Sequence, residues 1–468
     1  MNMRPMCRVA VSVMSGLLAL CAAGARADDS AWANATNIDV ANDGTDDALG
    51  SITELGAALG LDPQCDWRPA NGTPTATTAP GALRWGYIEL AAGYWQLILS
   101  PYFPVGTRFR IDGQYPNARY MSYQLYDGPK GGLGFLPDYK IVPNPGYMSP
   151  FTGVNTVNTA IKPGGHYSIH IVYGDTPANP SPNTLYVAAK NFSVGSLAVF
   201  IYRIYNNFNG ISVADHGGVP MPTVVQETSS GDVQVATKDN KMVCGLGVAQ
   251  RDSRRRVRAA ASDIINSQPE KPNPIPAQPV PPPPQFMLRD NPKDVLVNND
   301  NRYIYAKLSQ KPGDLVLMRA KAPTYATGPG AGSDPQLRHW SVCQNAWTTV
   351  ETYSCIEDTD AAVDSGGFFN IVISVPSKRP ANATHAHGFD WLTYGTDETA
   401  APILRHMLAS PHFTQSAFAV PSGDGANAPA IMGDYFPQST YCAASVFQAH
   451  TNNGETPKQV FAACAAGK

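Results

Sequence analysis

Short runs of aromatic and β-branched residues alternate along this chain with the turn formers Gly, Pro, Asn and Asp. In the first half, such runs lie at residues 94–99, 108–111, 119–126, 167–173, 184–188 and 197–205. Runs of this length bounded by turn residues predict β-strands, and their spacing indicates an antiparallel sandwich.

The second half carries the same pattern with few exceptions. Its strand-type runs lie at residues 303–308, 315–318, 339–342, 368–375 and 391–392. Only residues 401–408 and 443–448 favour helices there. A further helix is predicted near the start of the chain, where Thr45-Asp46-Asp47 can cap an apolar stretch that follows.

Landmark residues recur in the same order on either side of a proline-rich stretch at 269–284. The matching positions are Gly106 and Gly313, Pro116 and Pro323, Arg119 and Arg338, the Gly-Gly pairs 164–165 and 366–367, the Pro-Ala-Asn triplets 177–179 and 380–382, and Arg203 and Arg405. Such a repeated order indicates duplication of one fold unit. The predicted fold class is therefore dominated by β-structure, as two tandem homologous antiparallel β-sandwich domains with a few short helices.

The start of the chain reads as a secretory signal at residues 1–27. Arg4 and Arg8 precede an apolar stretch at 9–23, and Ala25-Arg26-Ala27 fits a small-x-small cleavage site. A lipid anchor on Cys21 is the alternative, although the bulky Leu20 before it disfavours that processing. We expect a secreted or periplasmic protein with no transmembrane segment after signal cleavage, because no second apolar stretch approaches the ~18 residues that a span needs.

Composition then divides the mature chain into segments. An N-terminal extension with a short helix occupies residues 28–83, and the first sandwich module covers 84–250. Residues 251–287 form a linker that begins as a basic helix rich in arginine and continues into the prolines, which favour extended polyproline II. The second module covers 288–468.

Cysteine and charge narrow the picture further. The cysteines that remain after cleavage are Cys65, Cys244, Cys343, Cys355, Cys442 and Cys464. Their even number in an exported chain predicts disulfides, and proximity in sequence favours Cys343–Cys355 and Cys442–Cys464, which leaves Cys65–Cys244. A net charge of −3 with 15% charged residues gives no field that would attract nucleic acid, so we expect no nucleic-acid partner.

Several motifs carry a resemblance to known proteins. They are PNARYMS at 116–122, GGVPMP at 217–222, RHWSVCQN at 338–345, ILRHMLASP at 403–411 and GDYFP at 433–437. With these motifs the chain resembles uncharacterised exported bacterial proteins built from tandem jelly-roll-like modules, a domain of unknown function. The resemblance implies a fold and no reaction.

Four arginines at repeated positions are the first candidates for ligand binding: Arg119, Arg203, Arg338 and Arg405. A guanidinium presents a fork of donors to a carboxylate or phosphate, so these residues could clamp an anion in each domain. Alternatively, each is an internal arginine bound to backbone carbonyls or to an acid such as Asp112, Asp127 or Asp390.

A histidine-rich loop is the candidate metal site. His385 and His387 are two residues apart, which places them on one face of an extended segment, and Asp390 or His406 could supply a third ligand to a divalent metal. The spacing departs from that of known metallohydrolases. No other cofactor is indicated.

Aromatic residues crowd two stretches, at 85–103 and 340–394. Exposed rings would offer stacking surfaces for a sugar or lipid, whereas buried rings would form the core. We therefore expect an exported non-catalytic protein that binds a small-molecule, sugar or lipid ligand. The alternatives are a hydrolase or lyase acting on an envelope or extracellular substrate, with the His385/His387 loop as its site, and a structural or interaction protein.

Overall fold

The computed structural model describes residues 67–69, 87–99, 101–127, 130–193, 198–205, 216–234, 284–289, 297–309, 314–330, 332–347, 350–397 and 399–467. We refer to residues 67–234 as the first half and to residues 284–467 as the second half. The predicted signal sequence, the first predicted helix, residues 251–283 of the predicted linker, Cys65 and Cys244 lie outside the described residues.

The first half forms two five-stranded sheets. Its strands are β1 (Arg68–Pro69), β2 (Ala92–Leu99), β3 (Arg108–Gln114), β4 (Tyr120–Asp127), β5 (Lys130–Pro137), β6 (His166–Tyr173), β7 (Thr184–Val187), β8 (Ala198–Tyr205), β9 (Thr223–Thr228) and β10 (Gly231–Gln234). One sheet has the order β1-β2-β8-β4-β5 and the other β10-β9-β3-β6-β7. All neighbours are antiparallel except β6 and β7, which are parallel.

The second half also forms two sheets. Its strands are β11 (Phe286–Arg289), β12 (Asn301–Ala306), β13 (Leu308–Ser309), β14 (Leu315–Lys321), β15 (Leu337–Ala346), β16 (Thr352–Glu357), β17 (Phe368–Ser374), β18 (Asp390–Thr393), β19 (Thr399–Ala409) and β20 (Gln438–Cys442). The orders are β11-β12-β19-β15-β16, with β13 pairing to β19, and β18-β17-β14-β20. The pair β17 and β18 is parallel, as the pair β6 and β7 is in the first half.

Strand order therefore agrees between the halves in both sheets. The strands β2, β3, β4 and β5 of the first half correspond in position to β12, β14, β15 and β16 of the second half. In the same way, β6, β7, β8 and β9 correspond to β17, β18, β19 and β20. The register agrees too, because Ser122 lies opposite Arg203 and Ser341 lies opposite Arg405. The predicted fold class, mainly antiparallel β with sandwiched sheets and a few short helices, is confirmed.

Each half has its own apolar core between its sheets. In the first half, alternate residues of β6 point inward, and Ile169 and Ile171 pack with Phe109 of β3 and Tyr202 of β8. In the second half, Trp340 stacks on Phe369 across the two sheets with ring centroids 5.0 Å apart. Period-two alternation along β3 and β6 gives their sheet one buried face, as two stacked sheets require, whereas β4, β15 and β19 are buried along nearly their whole length.

The described residues of the second half include three short α-helices: α1 (Ala428–Met432) lies between β19 and β20, and α2 (Ala444–Asn452) and α3 (Pro457–Ala465) follow β20. The helix predicted at 443–448 is therefore present as α2. A capping box begins α3, since the Thr456 side chain accepts from the Gln459 backbone and Gln459 bonds back to Thr456. None of the helices that the structure describes is long and apolar enough to cross a membrane.

The helix predicted at 401–408 is wrong, because these residues belong to strand β19. β19 pairs with β12 on one side and with β15 on the other, and residues 400–408 are buried. A strand covered on both faces reads as a continuous apolar run, and such a run has no periodicity that separates it from a buried helix.

Candidate functional site

The two halves meet through buried arginines that each reach into the other half. Arg119 comes directly before β4 and is 1% exposed. Its Nη1 and Nη2 atoms lie 2.5 and 2.6 Å from the two carboxylate oxygens of Asp358, which follows β16 of the second half. Nη2 also donates to the carbonyl oxygen of Arg338 at 3.1 Å. This bidentate geometry is the strongest form of an arginine–carboxylate pair.

Arg338 makes the reciprocal contacts. It lies on β15 with no exposed surface, and its Nη1 donates to the carbonyl oxygen of Arg119 at 3.0 Å and to Asp138 Oδ2 at 3.1 Å. Its Nη2 donates to the carbonyl oxygens of Gly153 and Val154. Each of the two arginines therefore binds the backbone of the other and a carboxylate of the opposite half.

The two carboxylates are held in the same way. Asp138 directly follows β5 and accepts from the backbone N–H of Met121 at 3.0 Å, and Asp358 directly follows β16 and accepts from that of Trp340 at 3.0 Å. Met121 and Trp340 each lie two residues after the arginine of their own half. The arginine and aspartate contacts that the first half makes to the second half are thus approximately the same as those that the second half makes to the first.

The pKa values of the two aspartates shift in opposite directions despite this matched geometry. Burial raises the pKa of both carboxyl groups. For Asp358, the charges of Arg119 and His339 overcome burial and hold its pKa well below the usual range. For Asp138, burial outweighs the attraction of Arg338, and its pKa is raised. The doubly bonded Arg119–Asp358 pair is therefore the more firmly ionised one.

The second pair of repeated arginines is less symmetric. Arg405 lies on β19, where its Nη1 is 3.7 Å from Glu89 Oε2 and its Nη2 donates to the carbonyl oxygen of Tyr87, so it too contacts the opposite half. Arg203 lies on β8 and donates to side chains of its own half, Tyr126 Oη at 2.5 Å and Gln124 Oε1 at 3.4 Å. Both are 2% exposed.

Glu89 is the centre of a buried cluster on the second-half sheet. Ser341 Oγ donates to its carboxylate, and His339 Nε2 lies 4.0 Å away while His339 Nδ1 lies 3.1 Å from Asp358. Burial raises the pKa of Glu89, but His339 and Arg405 bring it below the ordinary value. Burial lowers the pKa of His339, but Asp358 and Glu89 outweigh this effect and raise it to about 9. Glu89 and His339 are therefore both charged at neutral pH.

The chain segments before β2 and β12 also form hydrogen bonds with the opposite half. Tyr87 donates its backbone N–H to Val350 at 3.0 Å, and Thr352 Oγ1 donates to the carbonyl oxygen of Ile88 at 3.1 Å. In the opposite direction, Tyr126 Oη donates to the carbonyl oxygen of Val297 at 2.8 Å, and Tyr120 Oη donates to Asn298 Oδ1 at 3.1 Å. Each half thus covers part of the other half's sheet.

Asp138, Asp358, Glu89 and His339 are the interface residues that sequence reasoning missed. One signal was present: each aspartate follows its arginine at nearly the same interval in both halves. Acids matched between the halves in this way are candidates to partner the matched arginines. The sequence named Asp112, Asp127 and Asp390 instead, but Asp112 binds Arg110, Asp127 binds Ser193, and Asp390 lies beside His385.

The predicted metal ligands come together only in part. His385 and His387 lie in a 3₁₀ turn rather than an extended segment, and Gly388 ends that turn with a φ of 78°. His385 Nε2 lies 2.5 Å from Asp390 Oδ1, whose other carboxylate oxygen accepts from the Ala362 backbone at 2.8 Å. Burial is the largest effect on Asp390 and raises its pKa.

The other two residues of that set lie apart from this pair. His387 Nδ1 bonds with Thr384 Oγ1 at 2.9 Å. His406 is buried on β19 beside Phe413, and burial lowers its pKa to about 3, so it is neutral. The structure therefore forms one histidine–aspartate pair from the predicted set of four.

Both disulfides expected from proximity are present. Cys343–Cys355 joins β15 to β16, and Cys442–Cys464 joins β20 to α3. Cys343 Sγ also lies 3.2 Å from Glu89 Oε1, so the first of these bridges borders the interface cluster. Within the described ranges, Glu89, Cys343 and Cys355 are the only group of three His, Cys, Asp or Glu residues whose ligand atoms lie within 4.8 Å of one another.

Most of the aromatic side chains that the structure describes are buried in the apolar cores. Trp67, Trp95 and Trp340 are at most 5% exposed. The large apolar side chains that are exposed include Val142, Tyr147 and Met148, all of which lie in the connection from β5 to β6. Tyr147 also packs against His166, with ring centroids 4.7 Å apart.

Fold and interface together define a mainly antiparallel β protein whose two sandwiched halves are joined by buried, exchanged ion pairs. No protein-family model and no curated protein matches this chain. Among solved structures, it is similar to an uncharacterised protein from Burkholderia cenocepacia, with 13% identity, a TM-score of 0.42, and coverage of 86% of this chain and 95% of that chain.

Two other solved structures are more distant. A domain of a biofilm-associated protein has 10% identity and a TM-score of 0.18, with 73% of this chain and 48% of that chain covered. Procruciferin, an 11S globulin from Brassica napus, has 9% identity and a TM-score of 0.18, with 79% and 86% covered. These likenesses are too weak to bear on ligand or reaction.

Proposed function

We propose that this is an exported, non-catalytic ligand-binding protein of the periplasm or cell exterior, whose two jelly-roll-like modules arose by duplication. The matching strand order and the matched arginines support the duplication. In this proposal Arg119, Arg338 and Arg405 hold the modules together, and a feature that only one module has binds the ligand.

The interface itself leaves little capacity for an anionic ligand. Arg119, Arg338 and Arg405 are buried, and their donors are directed at carboxylates or carbonyl oxygens of the opposite half. An added anion would have to displace Asp358 or Asp138 from a contact that already neutralises the arginine. We therefore place the ligand elsewhere than between the arginines.

The observation that carries the proposal is the unequal length of one connection. In the first half, residues 138–165 connect β5 to β6, whereas in the second half residues 358–367 connect β16 to β17. A long connection on a rigid β-scaffold is where binding residues are commonly found. This connection also belongs to the interface, since Gly153 and Val154 accept from Arg338.

The same connection exposes apolar surface. Val142, Tyr147 and Met148 are 52%, 48% and 65% exposed. Hydrogen bonds hold the backbone around them. The Val142 N–H donates to Asn183 Oδ1, Asn183 Nδ2 donates to the Val142 carbonyl oxygen, and the Tyr147 N–H donates to the Asn144 carbonyl oxygen at 3.0 Å. An anchored loop can present its side chains without a large ordering cost.

A carbohydrate is the ligand class that this surface fits. The Tyr147 ring is 48% exposed and offers a flat face, and the polar imidazole of His166 packs against it with ring centroids 4.7 Å apart. Sugars combine an apolar ring face with hydroxyl groups, and aromatic side chains that have an apolar body and a polar edge suit such ligands.

Binding of soluble oligosaccharides by the purified mature protein tests this proposal, with isothermal titration calorimetry as the measurement. Tyr147→Ala should weaken binding at least about tenfold, which corresponds to the ~1.4 kcal/mol expected for loss of an aromatic contact. Tyr102→Ala is the matched control, because Tyr102 is 55% exposed in a different loop and should leave affinity unchanged. Binding only of lipids, or equal losses in both variants, would contradict the assignment.

Export is supported by the signal-like residues 1–27 and by two disulfides, which persist in oxidising compartments. N-terminal sequencing of protein from the extracytoplasmic fraction should begin at Asp28. Recovery of the chain only from the cytoplasm, with Met1 retained, would rule out export.

A hydrolase or lyase is the second candidate, and the His385–Asp390 pair favours it. A buried carboxylate that orients an exposed histidine is a common arrangement for a general base. His385→Ala should then abolish activity on the substrate while leaving the unfolding midpoint unchanged. Activity that survives this substitution would eliminate the His385 loop as the catalytic site.

A further inference from the structure

At the interface, one carboxylate lies beside two cysteine sulfurs. This group is separate from the ligand surface proposed above. Glu89 of the first half and Cys343 and Cys355 of the second half place one carboxylate oxygen and two sulfurs within 4.8 Å of one another. The cysteines are directly opposite each other on β15 and β16, with Cα atoms 4.0 Å apart. Because strand pairing fixes these Cα positions, reduction of the disulfide would leave both sulfurs beside Glu89.

We propose that reduction of the Cys343–Cys355 disulfide creates a binding site for Zn²⁺, with the two thiolates and the Glu89 carboxylate as its ligands. Thiolate and carboxylate are established zinc ligands, at about 2.3 Å for sulfur and about 2.0–2.2 Å for oxygen. Ligand atoms that already lie within 4.8 Å of one another need only small side-chain rotations to reach these distances.

The surroundings suit such a site. Glu89 and Cys343 have no exposed surface, and Ser341 Oγ donates to the Glu89 carboxylate while Arg405 lies 3.7 Å from it. Partners that hold a ligand in this way commonly orient the ligands of metal sites. Two thiolates balance the charge of Zn²⁺, so the ion adds no net charge to the buried cluster.

A dithiol reductant opens the site in two exchange steps. Cys355 is partly exposed whereas Cys343 is buried, so the reductant thiolate attacks Cys355 Sγ and Cys343 leaves as a thiolate. The second thiol of the reductant then releases Cys355 and forms the oxidised, cyclic reductant. Two electrons and two protons have passed to the protein, and Zn²⁺ binding releases the two thiol protons.

Zinc affinity of the full mature chain, measured by chromophoric chelator competition before and after anaerobic reduction, tests this proposal. The reduced protein should bind one more Zn²⁺ than the reduced Cys343→Ser/Cys355→Ser variant, and the oxidised protein should lack this ion. The comparison subtracts any zinc held by Cys65, Cys244, Cys442 or Cys464. Equal zinc binding by the two reduced proteins would overturn the proposal.

Glu89 is tested separately. Glu89→Gln keeps the shape of the side chain but removes the charge, and it should weaken zinc binding by about tenfold or more. X-ray absorption spectroscopy at the zinc edge identifies the ligands in the reduced wild type, so it does not depend on a substitution. It should show two sulfur ligands together with oxygen or nitrogen ligands. A shell of four sulfurs, or one without sulfur, would contradict the assignment. Loss of sugar binding in Tyr147→Ala has no bearing on this result.

Discussion

At the scale of single residues, the defining feature of this protein is a set of buried charged side chains, most of which contact an oppositely charged group in the other half of the chain. An arginine that loses its carboxylate in such a place becomes an uncompensated buried charge. The buried arginines therefore need the matched aspartates. Substitution of either partner should lower the free energy of unfolding far more than substitution in a surface ion pair.

Asp358→Ala should lower the free energy of unfolding by about 3–5 kcal/mol, because it leaves Arg119 and His339 buried without their shared carboxylate. Asp175→Ala is the control, since Asp175 pairs with Lys190 at 2.7 Å on the surface and should cost at most about 1 kcal/mol. Urea unfolding monitored by circular dichroism measures both. A loss for Asp358→Ala as small as that of the control would show that the pair stabilises little.

Asp300 gives the interface a dependence on pH. Burial is the main cause that raises its pKa from 3.8 to about 8, and the nearby Asp138 adds to this effect while Arg338 opposes it. The folded state therefore holds this proton more tightly than the unfolded state. Its contribution to stability is largest below about pH 3.8 and falls as pH rises toward about 8.

Asp300→Asn should remove this contribution, because an amide of similar shape carries no proton that titrates in that range. Relative to the wild type, the variant should gain stability steadily as pH increases through that interval and keep a constant advantage above it. Urea unfolding of both proteins below, within and above the interval measures the difference. A difference that does not change with pH would show that Asp300 is ionised throughout.

At the scale of elements, local pattern was sufficient for most strands and for α2. Turn residues bound the strands, and alternation along segments such as β6 reports a sheet with one buried face. The error at 401–408 has a physical cause: β19 is central in its sheet and covered on both faces, so its sequence lacks the alternation that identifies strands.

The site was harder to predict than the strands. The repeated arginines were found because repetition is visible in the sequence, and an internal ion pair was one of the two alternatives. Their partners were not found, because Arg119 and Asp358 are separated by 239 positions and meet only when the halves pack together. The exposed connection at 138–165 was missed for a related reason, since only the strand boundaries show that it is longer than its counterpart.

At the scale of the whole molecule, the exchange of arginines, carboxylates and chain segments implies that the halves behave as one body. Separate domains are joined by interfaces that are typically small and polar and permit relative motion. Here, separation would expose several buried charges at once and break hydrogen bonds in both directions, so neither half should unfold without disturbing the other.

Differential scanning calorimetry tests this central claim most directly. The oxidised wild type should unfold in one cooperative transition whose calorimetric and van't Hoff enthalpies agree. Arg119→Met/Arg338→Met, which removes both reciprocal arginines, should divide this transition into two or lower its midpoint by several degrees. Two separate transitions in the wild type, left unchanged by the double substitution, would contradict the account.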